Sequence, residues 1–179
     1  MTLFSDLQAT YTKWQQARSD YRTLSLNFLR QFAEAFRKHI GAPEHYNVPE
    51  DDARKPYVEL LMVSEDEEGH YRFSRSRSPF DLLSQEPDGF WLTGIGLVVD
   101  RSANVFPKAE FYYPIRFVLR GSNSEMIFPG GERFVFSTNA VDDQKQVFDY
   151  MLGIVKDILG TPPWETTARR SIGFVPPVE

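Results

Sequence analysis

Residues 3–40 read LFSDLQATYTKWQQARSDYRTLSLNFLRQFAEAFRKHI, with neither Gly nor Pro in the run. Large apolar side chains fall at Phe4, Leu7, Tyr11, Trp14, Tyr21, Leu24, Phe28, Phe32, Phe36 and Ile40. The steps are threes and fours, with one gap occupied by Ala17 or Arg18. That is the helical period, and it places one stripe along one face of a helix. Gly41, Ala42 and Pro43 supply the stop, glycine being suited to a left-handed cap. The spacing predicts one long helix over residues 1–41.

A helix of that length would measure about 54 Å. A compact globule of 179 residues is only about 40 Å across. Such a rod must either break or overhang its own body. The weakest stretch for a break is Thr23-Leu-Ser-Leu-Asn27, since Thr, Ser and Asn are poor helix formers. Before it, Phe4, Leu7, Tyr11, Trp14, Arg18 and Tyr21 have the spacing of a heptad seam. After it, Leu26 and Leu29 widen the stripe, as for a helix lying on a sheet. The second half is therefore assigned to the core. The first half, through Phe4, Leu7, Tyr11, Trp14 and Tyr21, is assigned to an oligomer interface.

Downstream of the helix the period changes to two. Residues 42–56, with three prolines, read as a connection. Tyr57–Val63 and Tyr71–Arg75 read as a hairpin around the polar turn Glu65–Gly69. Phe90–Asp100 is a strand with Trp91, Thr93, Ile95, Leu97 and Val99 on one face and Gly94 and Gly96 on the other. Glu110–Arg120 is the next strand, and Pro114 within it implies a sheet edge or a bulge. Met126–Phe128 and Arg133–Ser137 form a last hairpin across Pro129-Gly-Gly131. Asn139 is placed to cap a C-terminal helix over 140–160, with Asp142 and Asp143 matching its dipole. Residues 161–179 read as an extended tail held by Trp164 and Phe174. The expected fold is a single α+β domain. A long N-terminal helix is followed by an antiparallel meander of five to six strands over 57–138, then by a second helix on the same sheet face. The opposite sheet face is expected to be open to solvent or curved into a groove.

Composition narrows the classes. The chain has no Cys, so disulfides, thiolate chemistry and the usual structural zinc sites are excluded. It carries a net charge of −5, which disfavours a general nucleic-acid binder. The charge is uneven: residues 1–41 hold six basic and three acidic side chains, a net +3, whereas residues 50–68 carry a net −6. No apolar run approaches the length of a membrane span, and the opening residues lack the pattern of a secretory signal. A cytoplasmic protein without membrane attachment is the expectation.

Motifs for chemistry are sparse. His39 and His45, with Glu44 beside one, match no ligand spacing, and no metal or cofactor is expected. Lys108-Ala-Glu110 with Asp100 has the residue types of a metal-dependent nuclease in reversed order, and reads as loop charge. No nucleophile elbow or phosphate loop is present. The richest surface pattern is arginine interleaved with aromatics. Arg75 and Arg77 share a strand face with Tyr71 and Phe73, and Arg116 and Arg120 share one with Tyr112. Three functions are compatible with these features. The first is a non-enzymatic interaction or adaptor protein, a homo-oligomer joined through its N-terminal helix, with room for a further protein partner. The second is a ligand-binding or catalytic domain with a cleft around Gly94, Gly96 and Arg116. The third is single-stranded nucleic-acid binding through Arg75, Arg77, Arg116, Arg120 and Tyr112.

Overall fold

Helix α1 runs unbroken from Leu3 to His39, 37 residues. The computed structural model describes residues 2–48, 53–101 and 108–161. Thr2 caps the helix, its hydroxyl accepting from the Ser5 amide at 3.3 Å. Asp6 lies in the first turn and Arg37, Lys38 and His39 in the last, both favourable to the helix dipole. Gly41 closes it at φ +68°, its amide donating to the Lys38 carbonyl. The Thr23–Asn27 stretch does not break the helix. Ser25 and Leu26 are buried there, so packing on the sheet outweighs the weak local preference.

The remaining elements are β1 (His45–Val48), β2 (Ala53–Pro56), β3 (Val58–Glu65), β4 (Tyr71–Ser74), a 3-10 turn (Pro79–Leu82), β5 (Ser84–Gln85), β6 (Trp91–Val99), β7 (Ala109–Arg120), β8 (Asn123–Ile127), β9 (Arg133–Ser137) and α2 (Val141–Gly160). The main sheet is antiparallel with seven strands. Its order is β4-β3-β6-β7-β8-β9, and β5 lies beside β6. The α+β architecture and the antiparallel sheet are as the pattern predicts, but the order is not a plain meander, because β3 rather than β4 lies beside β6. The strand count is higher for two reasons. The two-residue strand β5 is too short to carry a period. The proline-bearing segment read as a plain connection forms a separate β1–β2 hairpin, pairing His45 with Pro56 and Val48 with Ala53.

Both helices cover one face. Phe28 packs on Phe117 and Phe136, and Phe32 on Phe136 and Phe148 of α2. Beneath them lie Trp91, Ile95 and Leu97 of β6 and Phe111, Tyr113, Ile115 and Phe117 of β7. The Tyr113 hydroxyl donates to the Met151 carbonyl at 2.9 Å, tying β7 to α2. Helix α2 is capped by Ala140 rather than Asn139, with no side-chain bond to its free amides. The tail expected over 161–179 lies, beyond Thr161, outside the described residues.

The second face differs from the expectation of an open or grooved surface. Every residue of β6 from Trp91 to Val98 is buried. Strand β3 pairs with β6 only through Val58–Leu61, and its continuation Met62–Glu65 pairs with β4. In a flat sheet β4 would stand about 14 Å from β7. Yet Phe73 of β4 stacks on Tyr112 of β7, centroids 5.2 Å apart. The β3–β4 hairpin therefore curls over this face. Gly94 and Gly96 make room for it: a Cβ on Gly94 would meet Val63 at 2.8 Å and Phe73 at 3.0 Å, and one on Gly96 would meet Leu61 at 3.1 Å. Pro114 sits inside the main sheet. However, β8 pairs with β7 only from Arg116 to Arg120. At Pro114 the described pairing is to β6 alone, so the edge that proline implied is local.

Candidate functional site

Residues 2–20 of the chain are all exposed, so the first half of α1 stands clear of the body. Its apolar residues form a ridge: Leu3 is 86% exposed, Phe4 68%, Leu7 66%, Tyr11 58% and Trp14 53%. The ridge is ordered along its own length. Tyr11 and Trp14 stack with centroids 6.0 Å apart. Gln15 Nε2 donates to the Tyr11 hydroxyl at 2.6 Å. The Arg18 guanidinium lies 5.5 Å from the centre of the Trp14 ring.

Tyr21 is the exception among the five residues assigned to the interface. It stacks on Trp91 at 5.8 Å, and its hydroxyl accepts from the Leu119 amide at 3.1 Å. The stripe is continuous through Tyr21, but the body begins there, so its ring packs within the chain. Beside it, Arg22 donates to the Phe80 carbonyl and, at 3.3 Å, to the Leu83 carbonyl. This holds α1 to the 3-10 turn.

Between the ridge and the body lies a groove of about 600 Å³, lined by Trp14, Ala17, Arg18 and Tyr21 on one side and by Gln85, Glu86, Pro87 and Gly89 on the other. The far wall is the tight β5–β6 turn, where Gly89 takes φ +88° and donates to the Glu86 carbonyl at 3.0 Å. Arg116 clamps this turn. Its Nε donates to Glu86 Oε2 at 2.5 Å and its Nη2 to Asp88 Oδ2 at 2.6 Å. The guanidinium also covers the Phe90 ring at 5.2 Å. The Glu86 hydrogen bond raises the Arg116 pKa further above its ordinary value. Glu86 and Asp88 around Pro87 are a readable turn signal. Their link to Arg116, nearly thirty residues away, depends on the sheet.

The other arginines are placed as follows. Arg75 forks onto Glu59 at 2.7 and 2.9 Å, with Glu110 at 4.0 Å. Arg120 lies 3.9 Å from Glu125, which also receives Arg133 at 2.9 Å. Arg77 is exposed in the loop after β4. Tyr112 is buried and donates to Glu110. The structure thus gathers Arg75, Tyr112, Gly94 and Gly96 on the covered second face. Arg116 stands at the β5–β6 turn and Arg120 at the far end of β7. Arg75, Arg116 and Arg120 each have a carboxylate beside them.

Asp100 and Lys108 are more than loop charge. Their side chains are only 12% and 4% exposed and form an ion pair. The Tyr57 hydroxyl donates to Asp100 Oδ2 at 2.6 Å, and Lys108 Nζ lies 4.8 Å from the centre of the Tyr46 ring. Burial opposes ionisation of Asp100, but the hydrogen bonds from Lys108 and Tyr57 outweigh it and hold its pKa below the usual value. Burial, reinforced by the Asp100 bond, pushes Tyr57 up to about 12. The group fastens the β1–β2 hairpin to the sheet through Tyr46, Tyr57 and Val98. Periodicity could not reveal it, because each residue sits at the end of a different element.

His39 Nε2 faces Asp149 Oδ1 at 3.1 Å. Among the described residues no group of three or more His, Asp or Glu side chains could hold a metal ion, and no helix is long and apolar enough to cross a membrane. Comparison with family models, curated proteins and solved structures found no match.

Proposed function

We propose that this protein is a non-enzymatic interaction module that self-associates through the first half of α1. The observation that carries this reading is the ridge from Leu3 to Trp14, extended away from the body and facing water. Its five large side chains present roughly 600 Å² of apolar surface, taking each at somewhat over half of an aromatic or aliphatic side chain's area. That is at the upper limit of the largest patches on monomers, about 300–600 Å². Matched by a second copy it would bury about 1,200 Å² in all, the lower bound of a stable specific interface. A lone helix half of this length would be marginal in water, and packing along the ridge would stabilise it.

The cleft reading is weakened at Gly94, where Val63, Phe73 and Leu61 fill the space; Arg116 instead lines a separate cavity of about 210 Å³ with Tyr71, Pro114 and Ile127, smaller than an ordinary ligand pocket. The nucleic-acid reading draws no support from Arg75, Arg116 and Arg120, which already face carboxylates.

The test is sedimentation of the pure chain and of a Tyr11→Ser/Trp14→Ser variant. The parent is expected to associate. The variant is expected to be monomeric with an unchanged sheet signature and thermal midpoint at low concentration, because both side chains are more than half exposed. A parent that stays monomeric at its highest soluble concentration, with α1 intact by circular dichroism, refutes the proposal.

A further inference from the structure

We infer that the two copies pair antiparallel, crossing near Tyr11, and that the first turn of each α1 enters the groove between α1 and the β5–β6 turn of the other. This rests on the self-association reading above and assigns its geometry.

Three observations support it. The first is length. Residues 3–20 of α1 are exposed, about 27 Å of rod. An antiparallel overlay centred on Tyr11 sets Leu3 level with Ser19 of the copy, so each overhang ends where the other body begins. The whole ridge is then covered, and neither sheet meets the other. In that overlay the groove lined by Trp14, Arg18 and Tyr21 lies level with the copy's first turn, which carries Leu3 and Phe4, the two most exposed apolar residues of the ridge.

The second is charge along the seam. With Phe4, Leu7, Tyr11, Trp14 and Arg18 as the inward positions, the flanking positions are Leu3, Gln8, Thr10, Gln15 and Ala17, all uncharged. Flanking ion pairs therefore do not set the orientation. Arg18 is the inward charge. A parallel pair would set Arg18 against Arg18, whereas the antiparallel pair sets it against Phe4, where its guanidinium can lie on a ring as it already does on Trp14.

The third is the groove's far wall. Arg116 ties Glu86 and Asp88 together there, so the wall offers the first turn a fixed surface with its charges already paired. In a parallel pair the groove would receive no helix end.

The chain contains no cysteine, so introduced thiols report cleanly. Phe4→Cys and Arg18→Cys each alter an exposed residue and should leave the fold intact. Oxidation of the two variants mixed is expected to give a covalent heterodimer, and neither alone should cross-link. Residue 4 would stand about 21 Å from its own mate, beyond the roughly 7 Å a disulfide tolerates. As an independent measure, a spin label at Ser19→Cys, off the ridge, should give an intermolecular distance of about 24 Å or more. Cross-linking of Phe4→Cys alone, or a Ser19 distance far shorter than that, overturns the antiparallel geometry while leaving self-association standing. A parent that sediments as a monomer refutes both.

Discussion

Replacing Gly94 with alanine should destabilise the protein by about 2 kcal/mol, within the range for forcing a methyl into a filled core. The new Cβ would stand 2.8 Å from Val63 Cγ2, 3.0 Å from Phe73 Cδ1 and 3.2 Å from Leu61 Cβ. Val63 can rotate away. Leu61 Cβ moves only with its backbone, and Phe73 is held by its stack on Tyr112. The strain therefore falls on the curl of β3 and β4 over the sheet. With a urea slope of about 2 kcal/mol/M, the midpoint should fall by about 1 M. The thermal midpoint should fall by about 4–8 °C for a chain of this size. Both belong at one fixed protein concentration, since association would add its own contribution. Two controls define the mechanism. Gly96→Ala, whose nearest contact is the flexible end of Leu61 at 3.1 Å, should cost less. Gly153→Ala, in α2 with nothing within 4 Å, should stabilise by about 0.5–1 kcal/mol. If Gly94→Ala unfolds at the parent midpoint, the space above it is open and the account of a covered second face is wrong.

Tyr21→Phe should cost about 1 kcal/mol through the lost bond to the Leu119 amide, read as a midpoint shift, with sedimentation unchanged because the ring packs inside the chain. For Asp100, whose folded pKa is depressed, the stabilisation is present above the ordinary carboxylate pKa of about 4 and is lost as pH falls through the lower folded value. Asp100→Asn should lower stability at neutral pH and flatten that acid limb in denaturant melts from pH 7 downward. At the alkaline end the sign reverses. Burial raises the pKa values of Tyr57, Tyr112 and Tyr113, so unfolded tyrosine loses its proton first and stability falls as pH rises from about 10. Tyrosinate absorbance should show part of the eight tyrosines ionising together with loss of the fold. A smooth titration of all eight near 10 would contradict their burial.

The long helix and the antiparallel sheet were legible because one stripe and several alternating runs each have a period that burial enforces. The end of the overhang was not. Tyr21 continues the stripe without interruption, and only the position of Trp91 and Leu119 decides that its ring faces inward. Gly94 and Gly96 were read as the floor of a cleft, but the space above them is filled by the same chain, because β3 changes partner halfway along its length. That switch is marked only by the uninterrupted apolar run Leu60-Leu-Met-Val63, which an ordinary buried strand shows as well. Arg116 and the Asp100–Lys108 pair were visible as residues, whereas their roles depend on partners that the sheet brings from distant parts of the chain.

The local edge at Pro114 bears on solubility. Over its first half β7 pairs, among the described residues, with β6 only, and this stretch, Glu110-Phe-Tyr-Tyr-Pro-Ile115, is rich in aromatics. An open strand edge is a template on which a foreign strand can polymerise, but Phe111, Tyr112, Tyr113 and Ile115 are buried here. Pro114 removes one amide donor from this stretch. Burial of its side chains and the missing donor at Pro114 together make this stretch a poor template for fibril-like stacking.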